Sequence, residues 1–387
     1  MRKHLVLVGG GHAHMVTLEN IGQFVEKGYK VTVIAPSFHH YYSGMGPGML
    51  GNTYTSEAIR FDTKRVVTSL GGIFVKDRVV RIDPDKKIAF TQAEKAFPYD
   101  VLSFNAGSYV PMESILETLE DKDREDKDRE NKDRENIYPV KPIERLMEAS
   151  EKLKLLFKEK PSTISVVGGG PSSAEVAGNV WQLARLTKGY LPKIRIFAGK
   201  KFMARFPDSI RQRIFSVFLK RGIEIIEQGY VKTVTRERIT LESGIIFDTD
   251  FVFMALGVKP STLFEASGLP MGPDKGLRVN QYLQSVAYPE IFGGGDCIYF
   301  EPQPLDKVGV YAVRENPVLL HNLMAKLDGR PLEPFDPGPD YLLIFNLGGK
   351  TGILRKNKWV FGGRLAFMIK DYIDQKFIRR FQAIEKN

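Results

Sequence analysis

An α/β fold built around two phosphate-binding βαβ units is predicted by three features of the sequence. An apolar run, Leu5-Val6-Leu7-Val8, opens onto Gly9-Gly10-Gly11-His12-Ala13-His14. A second run, Ile164-Ser165-Val166-Val167, opens onto Gly168-Gly169-Gly170-Pro171-Ser172-Ser173-Ala174-Glu175. Each reads as a buried parallel strand turning into a helix, where small glycines let the backbone approach a pyrophosphate and the helix N-terminus faces its charge. The third feature is a return, between Arg278 and Asp296, to the style of the first unit. The predicted architecture is therefore two Rossmann-like dinucleotide-binding domains, the second inserted in the first, plus a C-terminal amphipathic helical tail. Two bound dinucleotides imply electrons passing between them.

Taken in order, residues 4–35 read as strand, glycine turn, helix and strand, with Val31-Thr32-Val33-Ile34 as the second strand. Residues 36–52 are irregular and rich in Gly, Pro and aromatics. Short strands are expected around 72–76, 79–83 and 87–91, and Asp100–Gly107 reads as a buried strand ending on small residues. Residues 121–136 carry Asp-Lys-Asp-Arg-Glu twice and Asn-Lys-Asp-Arg-Glu once, with no recurring apolar position to bury, so a solvated insertion is expected. The second βαβ pattern runs from 162 to 198, with Pro171 at the first helical position, where its missing N–H costs nothing. From Arg364 to Ile384, residues Leu365, Met368, Ile369, Tyr372, Ile373, Phe377, Phe381 and Ile384 recur at helical spacing with the basic residues largely between them, predicting an amphipathic helix. Domain boundaries follow: 1–112 and 261–335 for the first domain, 113–137 for the charged insertion, 138–260 for the second domain and 336–387 for the C-terminal region.

Composition narrows the function classes. At 387 residues the chain exceeds one ordinary core. One cysteine, Cys297, excludes internal disulfides, a paired-thiol redox centre and a cysteine-rich metal site, and no metal is expected. The apolar stretch near the N-terminus is too short for a signal peptide and none is long enough to span a bilayer, so a cytoplasmic location is expected, either free or peripheral on the inner face of the membrane. The net charge is +10, and residues 355–387 hold nine basic against three acidic residues. No nucleic-acid recognition motif accompanies that charge.

The ordered motifs resemble the FAD-dependent pyridine nucleotide oxidoreductases. The resemblance rests on the first glycine turn, on Tyr99-Asp100-Val101-Leu102 leading to Asn105-Ala106-Gly107, and on the second glycine turn with Glu175. It continues through Phe253–Pro260 and Ile291-Phe292-Gly293-Gly294-Gly295-Asp296. Within that superfamily the chain is similar to type II NADH dehydrogenases. It also resembles the flavoprotein module fused to selenide,water dikinase, through Gly11-His12-Ala13-His14, Tyr42–Gly48 and Lys370–Asp374. Sulfide:quinone oxidoreductases share the architecture but work through cysteines, which this chain lacks.

The resemblance implies an enzyme that passes hydride from NADH or NADPH to FAD, and electrons onward to a quinone or another acceptor. Gly9, Gly10, Gly11, Ala106, Gly107 and Gly295 are expected to hold FAD, with Asp296 accepting a hydrogen bond from its ribityl chain. His14 replaces the third glycine of the fingerprint, so the first helix is expected to be displaced. His12 is read as a phosphate or backbone partner rather than a metal ligand. No acid ends the second strand, so Ser37 is the candidate for the adenosine ribose. Gly168, Gly170, Ser173 and Gly257 are expected to bind the nicotinamide dinucleotide. Glu175 either places the nicotinamide ring catalytically or is an ordinary first-turn acid. Lys200 and Lys201 either accept a 2′-phosphate or form a solvated turn. Type II dehydrogenases carry Ala-x-x-Gln near the quinone; here the stretch reads Ala312-Val313-Arg314-Glu315. The basic tail either lies on an anionic membrane or packs on the flavin domain or in a homodimer. The alternative to turnover is a flavin-binding regulatory or partner protein linked to selenium metabolism.

Overall fold

The computed structural model describes residues 2–116 and 135–385; most of the charged repeat, residues 121–134, and Lys386 lie outside the described residues. The first apolar run becomes the central strand His4–Val8, buried at every position. It heads a five-stranded parallel sheet in the order Ile291–Gly293, Val101–Phe104, His4–Val8, Lys30–Ala35, Ile73–Lys76. Covered on both faces, such strands must be apolar on both, which is why their sequences run rather than alternate. The second sheet repeats the plan with Ile137–Pro139, Phe251–Met254, Thr163–Val167, Lys193–Phe197 and Ile223–Ile226, again all parallel. Each domain also carries a three-stranded antiparallel sheet, Val79–Asp83/Ile88–Thr91/Ala96–Pro98 in the first and Val231–Val234/Arg238–Leu241/Ile246–Asp248 in the second.

The late strand Ile291–Gly293 completes the first sheet, so the second sheet is built from sequence lying inside the first. Where the chain leaves and returns, Ser108–Tyr109 pairs antiparallel with Lys259–Pro260. The helix after the second glycine turn is one unbroken element, Pro171–Thr187. After the first turn it is broken into a 3-10 turn, His12–His14, and two short helices, Met15–Glu19 and Ile21–Glu26. His14 sits fully buried at the glycine's usual place. Its Nδ1 lies 2.7 Å from Gly9 O and its Nε2 2.8 Å from Ser103 Oγ. The imidazole thus ties the turn at Gly9 to the strand Val101–Phe104.

The C-terminal region is a strap across both domains. Strands Leu343–Asn346, Gly352–Lys356 and Trp359–Gly363 form an antiparallel sheet that leads into the helix Arg364–Ile384. The sheet docks on the inserted domain, where a Cβ on Gly178 would stand 2.2 Å from Leu347 O. Arg221 donates to Leu347 O and lies 4.2 Å over the Trp181 ring. The helix docks on the first domain: Gln382 Nε2 donates to Arg60 O at 3.0 Å, and Arg380 pairs with Glu19 at 2.9 Å.

The helix has the expected length, and its apolar residues divide between a buried and an exposed face. Ala366, Phe367, Asp374, Ile378 and Phe381 are buried, whereas Leu365, Met368, Tyr372 and Ile373 are exposed. The inward face is set by a buried ion pair, Lys370 Nζ to Asp374 Oδ2 at 2.5 Å, which hydrophobic periodicity alone does not reveal.

Substitutions at two glycines test this packing by urea unfolding. Gly178→Ala should destabilise by about 1–3 kcal/mol, because backbone blocks the new methyl. Gly22→Ala meets nothing within 4 Å in the helix Ile21–Glu26, and should stabilise by up to about 1 kcal/mol. Equal effects at the two sites would contradict the docked strap.

Candidate dinucleotide sites and the cleft between them

A cavity of about 860 Å³ runs along the carboxyl ends of the first sheet, from Ser37 and Asp77 to Lys141 and Asp296. Its floor is the first glycine turn, and the turn has no room for side chains. A Cβ on Gly9 would lie 2.2 Å from Asn105 O, one on Gly11 2.2 Å from Asn105 Oδ1, and one on Gly10 2.7 Å from Thr63 Cγ2. Gly9 also takes φ +90°, which side chains disfavour. The turn therefore stays bare backbone, open to a phosphate.

Asn105 holds this floor to the opposite wall. Its Oδ1 accepts from Ala13 N–H at 3.2 Å, and its Nδ2 donates to Gly294 O at 2.8 Å. The wall carries Gly295 and Asp296, with Ala106, Gly107 and Ala312 beside them. Asp296 Oδ2 accepts from Lys141 Nζ at 2.5 Å and from Ser108 Oγ at 2.7 Å. Burial opposes ionisation of Asp296, yet the Lys141 ammonium and its hydrogen bonds hold its carboxyl below the usual range. Ser37 lines the other end, although its Oγ already accepts from His39 N–H at 3.2 Å. Asp77, which the sequence reading passed over, lines that end too, one strand beyond the place where an acid was sought.

His12 lines the cavity and stands beside a second imidazole, with His12 Nδ1 3.1 Å from His40 Nε2. Desolvation pushes His12 down to about 4 and His40 well below its ordinary value, so both are neutral at pH 7. Tyr42 and Phe377 close over His12, with ring centroids at 5.1 and 6.2 Å. Among the described residues no group of three His, Cys, Asp or Glu is placed to hold a metal. Cys297 is buried and its thiol is pushed up to about 12 by burial, so it is a packing residue at neutral pH.

The second glycine turn is shaped in the same way. A Cβ on Gly168 would lie 2.1 Å from Ala255 O and one on Gly169 2.6 Å from Ala198 O, while Gly170 faces open space. Gly257 also faces open space, at φ +94°. Ser173 is fully buried, and its hydroxyl is enclosed without a hydrogen-bond partner, beside Gly168. Lys200 and Lys201 are both exposed at the strand end, and Lys201 lies 3.5 Å from Asp208.

Glu175 joins the two halves. Its Oε1 accepts from Asn346 N–H of the strap at 2.8 Å. Desolvation pushes its carboxyl up to about 7, opposed by Lys370 and that N–H. Lys370 Nζ in turn donates to Gly44 O at 2.7 Å and to Asp374, which accepts from Tyr42 OH at 3.1 Å. A buried row of polar groups thus runs from the helix of the second glycine turn to the Tyr42–Gly44 loop of the first domain. Lys370 and Asp374 were not singled out as site residues from sequence; the signal was two opposite charges four residues apart within an otherwise apolar helix face.

The Ala312–Glu315 stretch divides by function. Ala312 lines the cavity, Arg314 points outward to Pro337 O, and Glu315 is buried beneath Gly295, accepting its N–H. Glu315 therefore braces the Asp296 turn from below, and burial raises its carboxyl to about 7.

Comparisons with known proteins agree with this geometry. Residues 3–321 match the family model for pyridine nucleotide-disulphide oxidoreductase. The chain is 23% identical over 394 residues to ferroptosis suppressor protein 1 of Taeniopygia guttata, covering 95% of this chain and 92% of that one. It is 23% identical over 356 residues to the demethylphylloquinone reductase NdbB of Synechocystis sp., covering 86% and 82%. In fold it is similar to NDH2 from Plasmodium falciparum in complex with NADH, with TM-score 0.80, 14% identity and 100% and 97% of the two chains covered. With its paired glycine turns, its joined sheets and a family match over most of its length, the chain belongs to the pyridine nucleotide-disulphide oxidoreductase family.

Proposed function

We propose that this protein is an FAD-dependent NAD(P)H:quinone oxidoreductase. The observation that carries the reading is the polar chain Glu175–Lys370–Asp374–Tyr42, which ties the helix of the nicotinamide turn to the rim of the flavin cavity. Gly9, Gly10, Gly11, Ala106, Gly107, Gly295 and Asp296 would hold FAD, with His12 and Ser37 beside them. Gly168, Gly170, Ser173 and Gly257 would hold NADH or NADPH, with Lys200 and Lys201 placed for a 2′-phosphate. Bound FAD supplies acceptance of hydride and delivery of two electrons. The protein's contribution is to hold both rings in register and keep the cleft dry. The relatives' names favour a quinone acceptor: one is a demethylphylloquinone reductase.

Glu175 has a specific task in this scheme. A nicotinamide ring becomes positive as its hydride leaves, and an ionised carboxylate beside it stabilises that charge. The buried Lys370–Asp374 pair fixes where Glu175 stands.

The purified protein should be yellow and should bleach anaerobically with NADH or NADPH. A colourless protein that FAD cannot reconstitute ends this reading. Bleaching should accelerate roughly tenfold as pH rises through about 7, where Glu175 ionises, and Glu175→Gln should flatten that profile. A wild-type rate independent of pH between 6 and 8 would remove Glu175 from the chemistry. Reoxidation by quinones no faster than by oxygen would favour the flavin-binding partner protein instead.

The strap is the proposed membrane contact. Trp359 is 80% exposed, Leu365 62%, Met368 56% and Tyr372 68%. Exposed Lys356, Lys358, Arg364, Lys376 and Arg379 surround them. Each such cation near an anionic surface contributes about 1 kcal/mol. No helix of the described residues is long and apolar enough to cross a membrane, so the contact would be peripheral. Vesicles of anionic lipid should sediment the protein, less so in 0.5 M salt (roughly a four-Å Debye length) and less so with Leu365→Glu plus Tyr372→Glu. Retention of vesicle binding by that double variant, or a salt-resistant dimer by sedimentation equilibrium, would place the apolar face elsewhere.

A further inference from the structure

Two cations line the flavin cavity among the described residues, and they sit at its opposite ends. Arg78 is exposed, next to Asp77. Lys141 stands at the inner end, with its side chain 27% exposed against 13% for Asp296. It is carried there by the segment that follows the strand Ile137–Pro139, so it reaches the first domain's cavity from the start of the inserted one. Its Nζ donates to Asp296 Oδ2 at 2.5 Å and to Ser108 Oγ at 3.1 Å. The lining also holds His12 and His40, which are kept neutral by burial with Lys141 itself adding to the effect, and the carboxylates Glu113 and Glu144. Lys307, hydrogen-bonded to Ile298 O and paired with Asp274, acts on Asp296 from outside the lining. Among the described residues that line the cavity, Lys141 is the cation at this end.

A hydride carries two electrons and one proton, so a ring that accepts it gains one negative charge. In a confined cavity an uncompensated charge is costly, and a neighbouring cation is the direct remedy. The N-terminus of the helix Gly309–Asp328, whose Gly309 and Ala312 line the cavity, offers only about half a unit of charge. Asp296 alone would make matters worse. We propose that Lys141 is the electrostatic partner of the bound flavin: held on Asp296 and Ser108, its ammonium offsets the negative charge that the flavin acquires, and so sets its reduction potential. This inference rests on the flavin reading above. It assigns to Lys141 a positioning and charge-balancing role for the flavin that no glycine motif announces.

Sulfite is the probe, because it adds reversibly to an oxidised flavin, leaves one negative charge on the ring, and needs neither NAD(P)H nor quinone. In FAD-loaded protein, Lys141→Met should weaken sulfite binding about tenfold or more, read from the loss of the visible flavin band. By dye equilibration the same variant should have a two-electron reduction potential lower by about 30 mV per tenfold change. Lys141→Arg, which keeps the charge, should stay near wild type. Lys141→Cys gives a rescue arm: aminoethylation rebuilds an ammonium, Cys297 being buried, and should restore sulfite affinity. Unchanged sulfite affinity and potential in flavin-loaded Lys141→Met would overturn the inference and leave the oxidoreductase reading standing. So would an aminoethylated Lys141→Cys protein that holds flavin yet binds sulfite no better than Lys141→Met. Wild-type protein that takes up no FAD would sink the oxidoreductase reading itself, and this inference with it.

Discussion

The buried pair between Lys370 and Asp374 is the interaction on which the rest of the molecule leans. Two charges with side chains 12% and 7% exposed carry a desolvation cost that their mutual attraction offsets only if the remaining hydrogen-bonding capacity is met. Here Gly44 O and Tyr42 OH of the first domain supply hydrogen bonds, and the Glu175 carboxyl of the inserted domain adds its negative charge beside Lys370. The pair therefore cannot form until both domains and the strap are in place. Its value lies in specifying one arrangement: loss of either partner would strand the other in a dry cleft.

Seen this way, the two glycine turns and the strap do different jobs. The turns are places where backbone crowding forbids a side chain, and they are set locally by strand, turn and helix. The relation between them is set by tertiary contacts. Asn105 braces the first turn against the Asp296 wall, Glu315 braces that wall from beneath, and Gly178 lets the strap lie directly on the second helix. Tyr42 and Phe377 then roof the cavity with one ring from the first domain and one from the strap, 4.9 Å apart. The cleft is thus a product of docking, and its chemistry follows from that.

This division explains what could be read from the sequence. The parallel strands were legible because burial on both faces forces continuous apolar runs, and the insertion was legible because Ile291–Gly293 returns to the first sheet's style. His14 stands where the fingerprint has its third glycine, and the structure shows its ring hydrogen-bonded to Gly9 and Ser103 beside a helix broken into short pieces. Which face of the final helix turns inward was not legible, because hydrophobic periodicity treats lysine and aspartate as solvent-facing, whereas this helix buries one of each and leaves Leu365, Met368 and Tyr372 outside. Lys141 escaped notice because it belongs to no motif; only folding brings it to Asp296, 155 residues away. Asp77 was missed because an acid was sought at the end of the second strand, and the fold supplies one from its neighbour.

In the proposed enzyme one fixed cleft brings the two dinucleotides together, with Glu175 at their meeting point. The decisive measurement is a crystal structure of the protein holding both FAD and NAD(P)H. The nicotinamide C4 should lie within about 3.5 Å of flavin N5, with Glu175 beside the nicotinamide and the Lys370–Asp374 pair intact. Rings lying far apart, with Glu175 turned from both and the strap still docked, would contradict it.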